Sequence, residues 1–321
     1  MILPLGDLPA GAPLIAGGKG ASLGRMSAAG FPVPPGFVVC APAFEAFLDG
    51  HITCDTVRGL AGSLDVHDER ALDGVSRQLQ AAIVSNPIPE HIRQAIAQAY
   101  LGLGPDAPVA VRSSAVGEDG EAASFAGQQE TFLNVRGTGE VMRCVRECWA
   151  SFFAPRALFY RAKKGALSET RMAVVVQEMV AAEKSGVMFT MDPVEQRRDR
   201  MVIEAVFGLG EGIVSGLLTP DHYVLDRASG RLLQEFIAVQ ADAVVQDAGK
   251  GGTRRIELSG EEGSARVLSV EELECLRRTG LRLEEFFGRP QDVEWCIRGS
   301  EILLVQSRPI TTGAGALKEA V

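Results

Sequence analysis

The amino-acid sequence predicts a mixed α/β protein, α+β in class, divided into two lobes. Three observations lead there. Short β-branched runs are interspersed with segments of helical periodicity along the chain. The 321 residues match the length prior for two domains, or for one domain split into two lobes. Hydrophobic residues make up 46% and charged residues 23%, the balance of an ordinary folded chain rather than a disordered or fibrous one.

Each element has its own signal. From Pro89 to Leu103 the residues Ile92, Ala95, Ile96, Ala99 and Tyr100 fall at i, i+3, i+4, i+7 and i+8, with Pro89 near the first helical position. A second helix is expected over roughly Val141 to Arg161. A third starts at Ser269, whose hydroxyl caps while Glu272 reaches back, and runs through Leu273, Leu276 and Phe286 to Gly288. Strands are expected at Val109–Arg112, Ala173–Gln177, Gly186–Thr190, Met201–Ala205, Asp292–Ile297 and Ile302–Ser307. Arg298-Gly299-Ser300 joins the last two as a hairpin. The lobe boundary is placed after Gln177-Glu178-Met179-Val180, giving lobes 1–180 and 181–321. Gly313-Ala314-Gly315-Ala316 reads as a frayed tail or the start of a linker.

Charge and composition exclude several function classes. Lys and Arg number 32 against 41 Asp and Glu, a net charge of -9, which argues against a nucleic-acid or anionic-membrane binder. A bound polyanion must then be held by a few placed cations. Cys40, Cys54, Cys144, Cys148, Cys275 and Cys296 lack the paired spacing of a zinc site and read as reduced, mostly buried thiols. The N-terminus has no basic leader pattern, and no apolar run approaches the ~18 residues of a membrane span. The expected compartment is the cytoplasm.

Four constellations carry possible chemistry. Ala16-Gly17-Gly18-Lys19-Gly20 offers close backbone approach and a point charge to an anion, but Pro13 stands where a Walker loop needs its first glycine. By itself it reads better as a glycine-rich turn with an exposed lysine. Val111-Arg112-Ser113-Ser114, followed by Gly117-Glu118-Asp119-Gly120 and Ser124-Phe125-Ala126-Gly127-Gln128, suits phosphate through the Arg112 fork and equally suits an ordinary loop. Gly208-Leu209-Gly210-Glu211-Gly212 is either a mobile loop closing on a ligand or a plain turn. In the hairpin, Ile302, Leu304, Gln306 and Arg308 are expected on one face, with Glu294 diagonally near Gln306. A carboxylate, an amide oxygen and a guanidinium together suit Mg²⁺-bound polyphosphate, or form a solvated sheet face. His51, His67, His91 and His222 stand beside no nucleophile or ligand cluster and read as surface or core residues.

Taken in this order, the segments Gly17-Gly18-Lys19-Gly20, Val111-Arg112-Ser113-Ser114, Ser124-Phe125-Ala126-Gly127-Gln128, Gln177-Glu178-Met179-Val180 and Gln306-Ser307-Arg308-Pro309 resemble the ATP-binding domain of the phosphoenolpyruvate synthase, pyruvate phosphate dikinase and rifampicin phosphotransferase family. The resemblance covers nearly the whole chain. It implies an ATP-grasp fold whose two lobes clamp the nucleotide. It also implies Lys19 and Arg112 on the phosphates, Gly127 and Thr131 lining the phosphate loop, and Gln177, Met179 and Val180 at the adenine, with Glu183 a weaker candidate at the ribose. Glu294 and Gln306 would hold Mg²⁺, and Arg308 would stabilise charge on the transferring phosphates. Catalysis would fall to Lys19, Arg112 and Arg308.

Full-length members of the family continue into a swivelling domain with a phosphorylatable histidine, and commonly into an acceptor domain. Neither is found in this sequence, so an excised domain or one subunit of a split enzyme is expected, as in phenylphosphate synthase. The implied reaction turns ATP into AMP and phosphate, passing the β-phosphoryl to the remote histidine and then to an acceptor such as pyruvate, a phenol or an antibiotic hydroxyl. A self-contained ligase forming an acyl phosphate and a non-catalytic nucleotide-binding subunit are the other readings.

Overall fold

The computed structural model describes residues 1–9, 11–51, 59, 68–116, 130–163, 171–214 and 216–310. Gly117–Gly120, Ser124–Gln128 with Gly127, Cys54, His67 and the Gly313–Ala316 tail lie outside the described residues. The chain divides into two compact units, Met1–Gly30 with Pro35–Met179, and Phe31–Pro34 with Val180–Val321.

The first unit contains β1 (Ile2–Pro4), α1 (Pro13–Ala28), β2 (Gly36–Val39), α2 (Ala41–His51), α3 (Glu69–Ser85), α4 (Glu90–Leu103), β3 (Val109–Ala115), β4 (Thr131–Val135), α5 (Thr138–Ser151), α6 (Pro155–Lys163) and β5 (Met172–Glu178). Its sheet runs β1-β2-β5-β3-β4, antiparallel throughout. Alternation sets Val109 and Val111 of β3 and Val174 and Val176 of β5 into the core. There they meet Ile92, Ile96 and Tyr100, the apolar stripe expected of α4. Phe44 and Phe47 of α2 pack on the Trp149 ring of α5 at 5.5 and 5.0 Å. The Tyr100 hydroxyl donates to Ala107 O and accepts from Gly137 N–H, so its burial leaves no polar cost.

The single helix expected over Val141 to Arg161 is two helices, α5 and α6. Pro155 explains the break. It disfavours helical geometry at the residue before it and lacks the amide a continuing helix needs. Phe152, Phe153 and Ala154 instead donate to Trp149, Ala150 and Ser151 three residues back, closing the first helix tightly before Pro155 opens the second.

The second unit contains β6 (Lys184–Phe189), β7 (Arg200–Phe207), α7 (Glu211–Val214), β8 (Asp221–Asp226), β9 (Leu232–Phe236), β10 (Asp242–Gln246), β11 (Thr253–Glu257), α8 (Gly260–Gly263), α9 (Val270–Phe287), β12 (Gln291–Arg298) and β13 (Glu301–Pro309). Six strands form an antiparallel sheet in the order β13-β12-β6-β7-β8-β9, and β10 pairs with β11 separately. The reciprocal Ser269–Glu272 cap of α9 is present, and Gly288 ends the helix at φ 73°. Leu273, Leu276 and Leu283 of α9 are buried. A Cβ at Gly280 would stand 2.9 Å from Met188 Sδ, so glycine there permits close helix–sheet approach. Phe286, expected on the buried stripe, is 37% exposed and meets Phe31 edge-on at 5.6 Å. Helices and antiparallel sheets in both units give the α+β class that the sequence predicts.

Candidate functional site

In β12, period-two alternation separates Val293 and Trp295, both fully buried on the side of the sheet where α9 lies, from Asp292 and Glu294 on the other side. Glu294 pairs directly with Gln306, and Asp292 with Arg308. The expectation that Ile302, Leu304, Gln306 and Arg308 share one face is overturned by a β-bulge between Glu294 and Trp295. Trp295 pairs with Leu304, so Val305 is an extra residue and resets the alternation. Leu304 therefore joins Trp295 on the buried side, while Gln306 and Arg308 face the same way as their partners Glu294 and Asp292.

The pairing continues across the sheet from Glu294 to Val187, from Val187 to Glu204, and from Glu204 to His222. One row thus carries Gln306, Glu294, Val187, Glu204 and His222. His222 Nδ1 lies 3.5 Å from Glu204 Oε1. That carboxylate raises the imidazole pKa against the pull of partial burial. Arg308 Nε donates to Asp292 Oδ2 at 2.8 Å. Burial pushes the Asp292 carboxyl up, Arg308 pulls it down, and the neighbouring Glu294 and Glu204 push it up again.

The sequence does not single out Asp292 or Glu204, and His222 reads there as a surface or core residue; all three lie on the sheet face of the expected pair. Asp292 had a usable signal, since it stands two residues from Glu294 and shares its face. Glu204 and His222 become neighbours of this row only through strand pairing that no local pattern specifies. Cys296, also on the Glu294 side by alternation, joins Val180 and Leu303 in a small buried apolar cluster, with Ala182 and Val305 against it. Val180, expected at the adenine, thus lies in an apolar patch close to the Glu294–Gln306 pair. Glu183 has a structural bond of its own, because its carboxylate accepts Gly299 N–H at 3.1 Å and so fastens the hairpin turn.

The glycine-rich stretch after β7 is a pinned turn. Gly208 has φ 76°, its N–H donates to Glu183 O, and its carbonyl accepts the Ser185 hydroxyl at 2.6 Å. Leu209 N–H donates to Val244 O at 2.8 Å. A Cβ at Gly208 would stand 2.3 Å from that same Val244 oxygen, so glycine is required there.

The first unit gathers the other expected residues. Arg112 pairs with Thr131 on one side and Val175 on the other, while Gln177 follows Val175 by two and pairs with Ala110 and Gly36. Arg112, Thr131 and Gln177 therefore share one face of the sheet. α1 covers the same face, since a Cβ at Gly20 would touch Val38 and Val175 at 3.3 and 3.5 Å. Lys19 is not the exposed lysine of a turn. It lies within α1, is 8% exposed, and its Nζ donates to Ser113 O at 3.0 Å. The motif's glycines serve packing of the helix onto β3 and β5, which made the stretch look like a turn in one dimension. Gln177 is buried, and Met179 is held by its N–H on Pro108 O and by its sulfur, which accepts Asn134 N–H at 2.9 Å. Gly127 lies outside the described residues.

The first unit thus brings Lys19 of α1 over the sheet face that carries Arg112, and the second opposes Glu294 to Gln306 beside Arg308. The family model described as pyruvate phosphate dikinase, AMP/ATP-binding domain, matches residues 14–321. The chain belongs to this family. Its ATP-grasp expectation stands with that membership. It is 47% identical over 313 residues to a probable phosphoenolpyruvate synthase of Archaeoglobus fulgidus, covering 96% of this chain and 41% of that protein. It is 43% identical to a probable phosphoenolpyruvate synthase of Methanocaldococcus jannaschii, covering 95% of this chain and 26% of the relative. A rifampicin phosphotransferase of Streptomyces is 39% identical over 314 residues, 97% of this chain and 36% of the relative. The pyruvate phosphate dikinase ATP-binding domain thus spans less than half the length of these relatives. No helix among the described residues is long and apolar enough to cross a membrane.

Proposed function

We propose that this chain is the ATP-cleaving module of a dikinase-type phosphotransferase. ATP and water yield AMP and phosphate, the β-phosphoryl moving to a histidine nitrogen on a separate domain or subunit and then to an acceptor. The observation that carries the reading is the opposition of Glu294 to Gln306 beside the Arg308–Asp292 pair, in a chain whose family binds AMP and ATP.

The donor chemistry fits the group the family implies. Glu294 and Gln306 offer two hard oxygens, and among the described residues no cluster of three or more His, Cys, Asp or Glu could hold a metal alone. Two protein ligands suit Mg²⁺, which keeps waters and takes substrate phosphates as its other ligands. When bound, the ion supplies charge neutralisation on the phosphate oxygens. Arg308 stabilises charge on the phosphates in transfer, exchanging its Asp292 bond for a phosphate oxygen. In the first unit Lys19 and Arg112 take the phosphates, with Thr131 on the same sheet face as Arg112, and Gly127 is assigned to the phosphate loop by the family resemblance alone. Gln177, Met179 and Val180 serve the adenine, and Glu183 reaches the ribose by leaving Gly299. Positioning and charge carry the catalysis, with no covalent step on this chain.

Pyruvate is the acceptor proposed first, because the relatives at 47%, 44% and 43% identity are probable phosphoenolpyruvate synthases, although those of Pyrococcus, at 37%, stand no nearer than the rifampicin phosphotransferases at 39% and 37%. The proposal includes work in the cytoplasm, where ATP is available. Mixing the chain with a histidine-bearing domain of a relative and ATP tests it. AMP and phosphate are the expected products, and ADP as the sole nucleotide product rejects the proposal in favour of a ligase.

A further inference from the structure

Gly17 sits inside α1 at φ 67° and ψ 176°, far from helical values. One residue in this geometry ends a helical segment and starts another, so Gly17 takes the cap position and Gly18, Lys19 and Gly20 form the new first turn. A cap residue ordinarily offers its own side-chain oxygen to the second or third amide of that turn. Glycine has none to offer. Ser114 of β3 supplies it instead, its hydroxyl accepting Gly20 N–H at 3.2 Å and donating to Ala16 O at 2.8 Å.

Ala16 O and Gly20 N–H would bond each other in an unbroken helix. The Ser114 hydroxyl is inserted between them and satisfies both, which bends α1 at a defined place. Ser114 is fully buried, so bulk water is not at hand to substitute for it. The approach is close enough that a Cβ on Gly17 would stand 2.4 Å from Ser114 O. The next residue after the bend but one is Lys19, and its ammonium is held on the carbonyl of Ser113, the neighbour of Ser114. One dipeptide of β3 therefore sets both the bend and the anchor of the lysine.

We propose that Ser114 is the positioning residue for Lys19, fixing the ammonium for a polyphosphate by capping the second segment of α1 from outside the helix. The inference rests on the proposed contact of Lys19 with the ATP phosphates. It is tested by calorimetric titration of the full chain with Mg·ATP and with adenosine, in wild type, Lys19→Met, Ser114→Ala and Ser114→Cys. Lys19→Met should weaken ATP binding at least about tenfold and leave adenosine within about twofold, as expected for a lost charge-assisted contact. Ser114→Ala should show the same split with a loss of roughly threefold to tenfold, with Ser114→Cys, a weaker hydrogen-bonding group, between it and wild type. Should Ser114→Ala fail to fold, the split is read from Ser114→Cys alone. Wild-type ATP binding in the Ser114 variants beside a weakened Lys19→Met overturns the positioning role, and so does an equal loss for ATP and adenosine. Undiminished ATP binding by Lys19→Met instead overturns the assignment of Lys19 itself.

Discussion

Glu294 stands directly across from Gln306 although Leu304, two residues before Gln306, lies on the opposite side of the sheet. The bulge at Val305 reconciles the two. It lets β13 bury Leu304 beside Trp295 and still present Gln306 and Arg308 with the carboxylates.

Deleting Val305 should therefore be tolerated. The shortened strand keeps Leu304 opposite Trp295 and Gln306 opposite Glu294 in an unbroken ladder, and it loses the contact of Val305 with the Val180 cluster. Mg·ATP affinity should stay within roughly threefold, with a stability loss of about 1 kcal/mol from the deleted apolar contact. A loss of affinity beyond about tenfold in a folded variant would show that the bend itself shapes the site.

Arg308→Ala separates chemistry from stability. The guanidinium is half exposed while Asp292 is mostly buried, so loss of their bond should cost about 1–2 kcal/mol and lower the unfolding midpoint only modestly. In the assembled phosphotransferase, loss of a group that stabilises transferring charge should lower turnover by roughly a hundredfold or more. Arg308→Lys should recover little, because one point charge replaces a fork shared between carboxylate and phosphate. Unchanged turnover in Arg308→Ala would leave the chain a non-catalytic nucleotide-binding subunit.

The parts of this fold that were legible in the sequence are those set by neighbours along the chain. The Ser269–Glu272 cap and the Gly288 stop of α9 act within one turn, and the α4 stripe repeats every three to four residues. Pro155 was equally legible, but the apolar run through Phe152 and Phe153 concealed the break it makes. What could not be read depends on distant partners. The bulge at Val305 exists only relative to β12, the bend at Gly17 only relative to Ser114, 94 residues from Gly20, and the Glu204–His222 pair only through strand register. Individual site residues were visible as motifs, whereas their grouping on two sheet faces needed the pairing.

The Glu204–His222 pair predicts a small pH dependence of stability. Its imidazole pKa is raised in the folded state, so the stabilisation is fully present below the unfolded value of about 6.5 and is lost as pH rises through the higher folded value. Asp192 pushes the same way as Glu204. With the side chains 40% and 30% exposed, solvent screening holds the effect below about 1 kcal/mol. Thermal unfolding from about pH 5.5 to about pH 8.5 should fall slightly more steeply in wild type than in His222→Gln or Glu204→Gln. Identical slopes in all three proteins would show that the pair contributes nothing.

Asp221 should be far less tolerant of change than either partner of that surface pair. Its carboxylate is fully buried in the second unit. One oxygen accepts Ala238 N–H at 3.0 Å and the Gln240 amide at 3.4 Å, and the other accepts Val267 N–H at 2.9 Å and the Tyr223 hydroxyl at 2.7 Å. Gln240 in turn accepts Phe207 N–H, so the network ties the end of β7 and the segments before β10 and α9 to β8. Asp221→Asn changes few atoms but places an amide NH₂ against one main-chain donor whichever way it is turned. An orphaned buried donor together with a lost charge-assisted bond should cost about 2–4 kcal/mol. Tyr223→Phe removes one donor from the carboxylate, leaves it the other three, and frees Leu268 N–H from the long 3.3 Å bond that the hydroxyl accepts, so it should cost about 1–2 kcal/mol. Denaturant unfolding of the two variants decides the matter: a Tyr223→Phe loss equal to or larger than that of Asp221→Asn would mean that the Tyr223 hydroxyl, and not the carboxylate, holds these segments together.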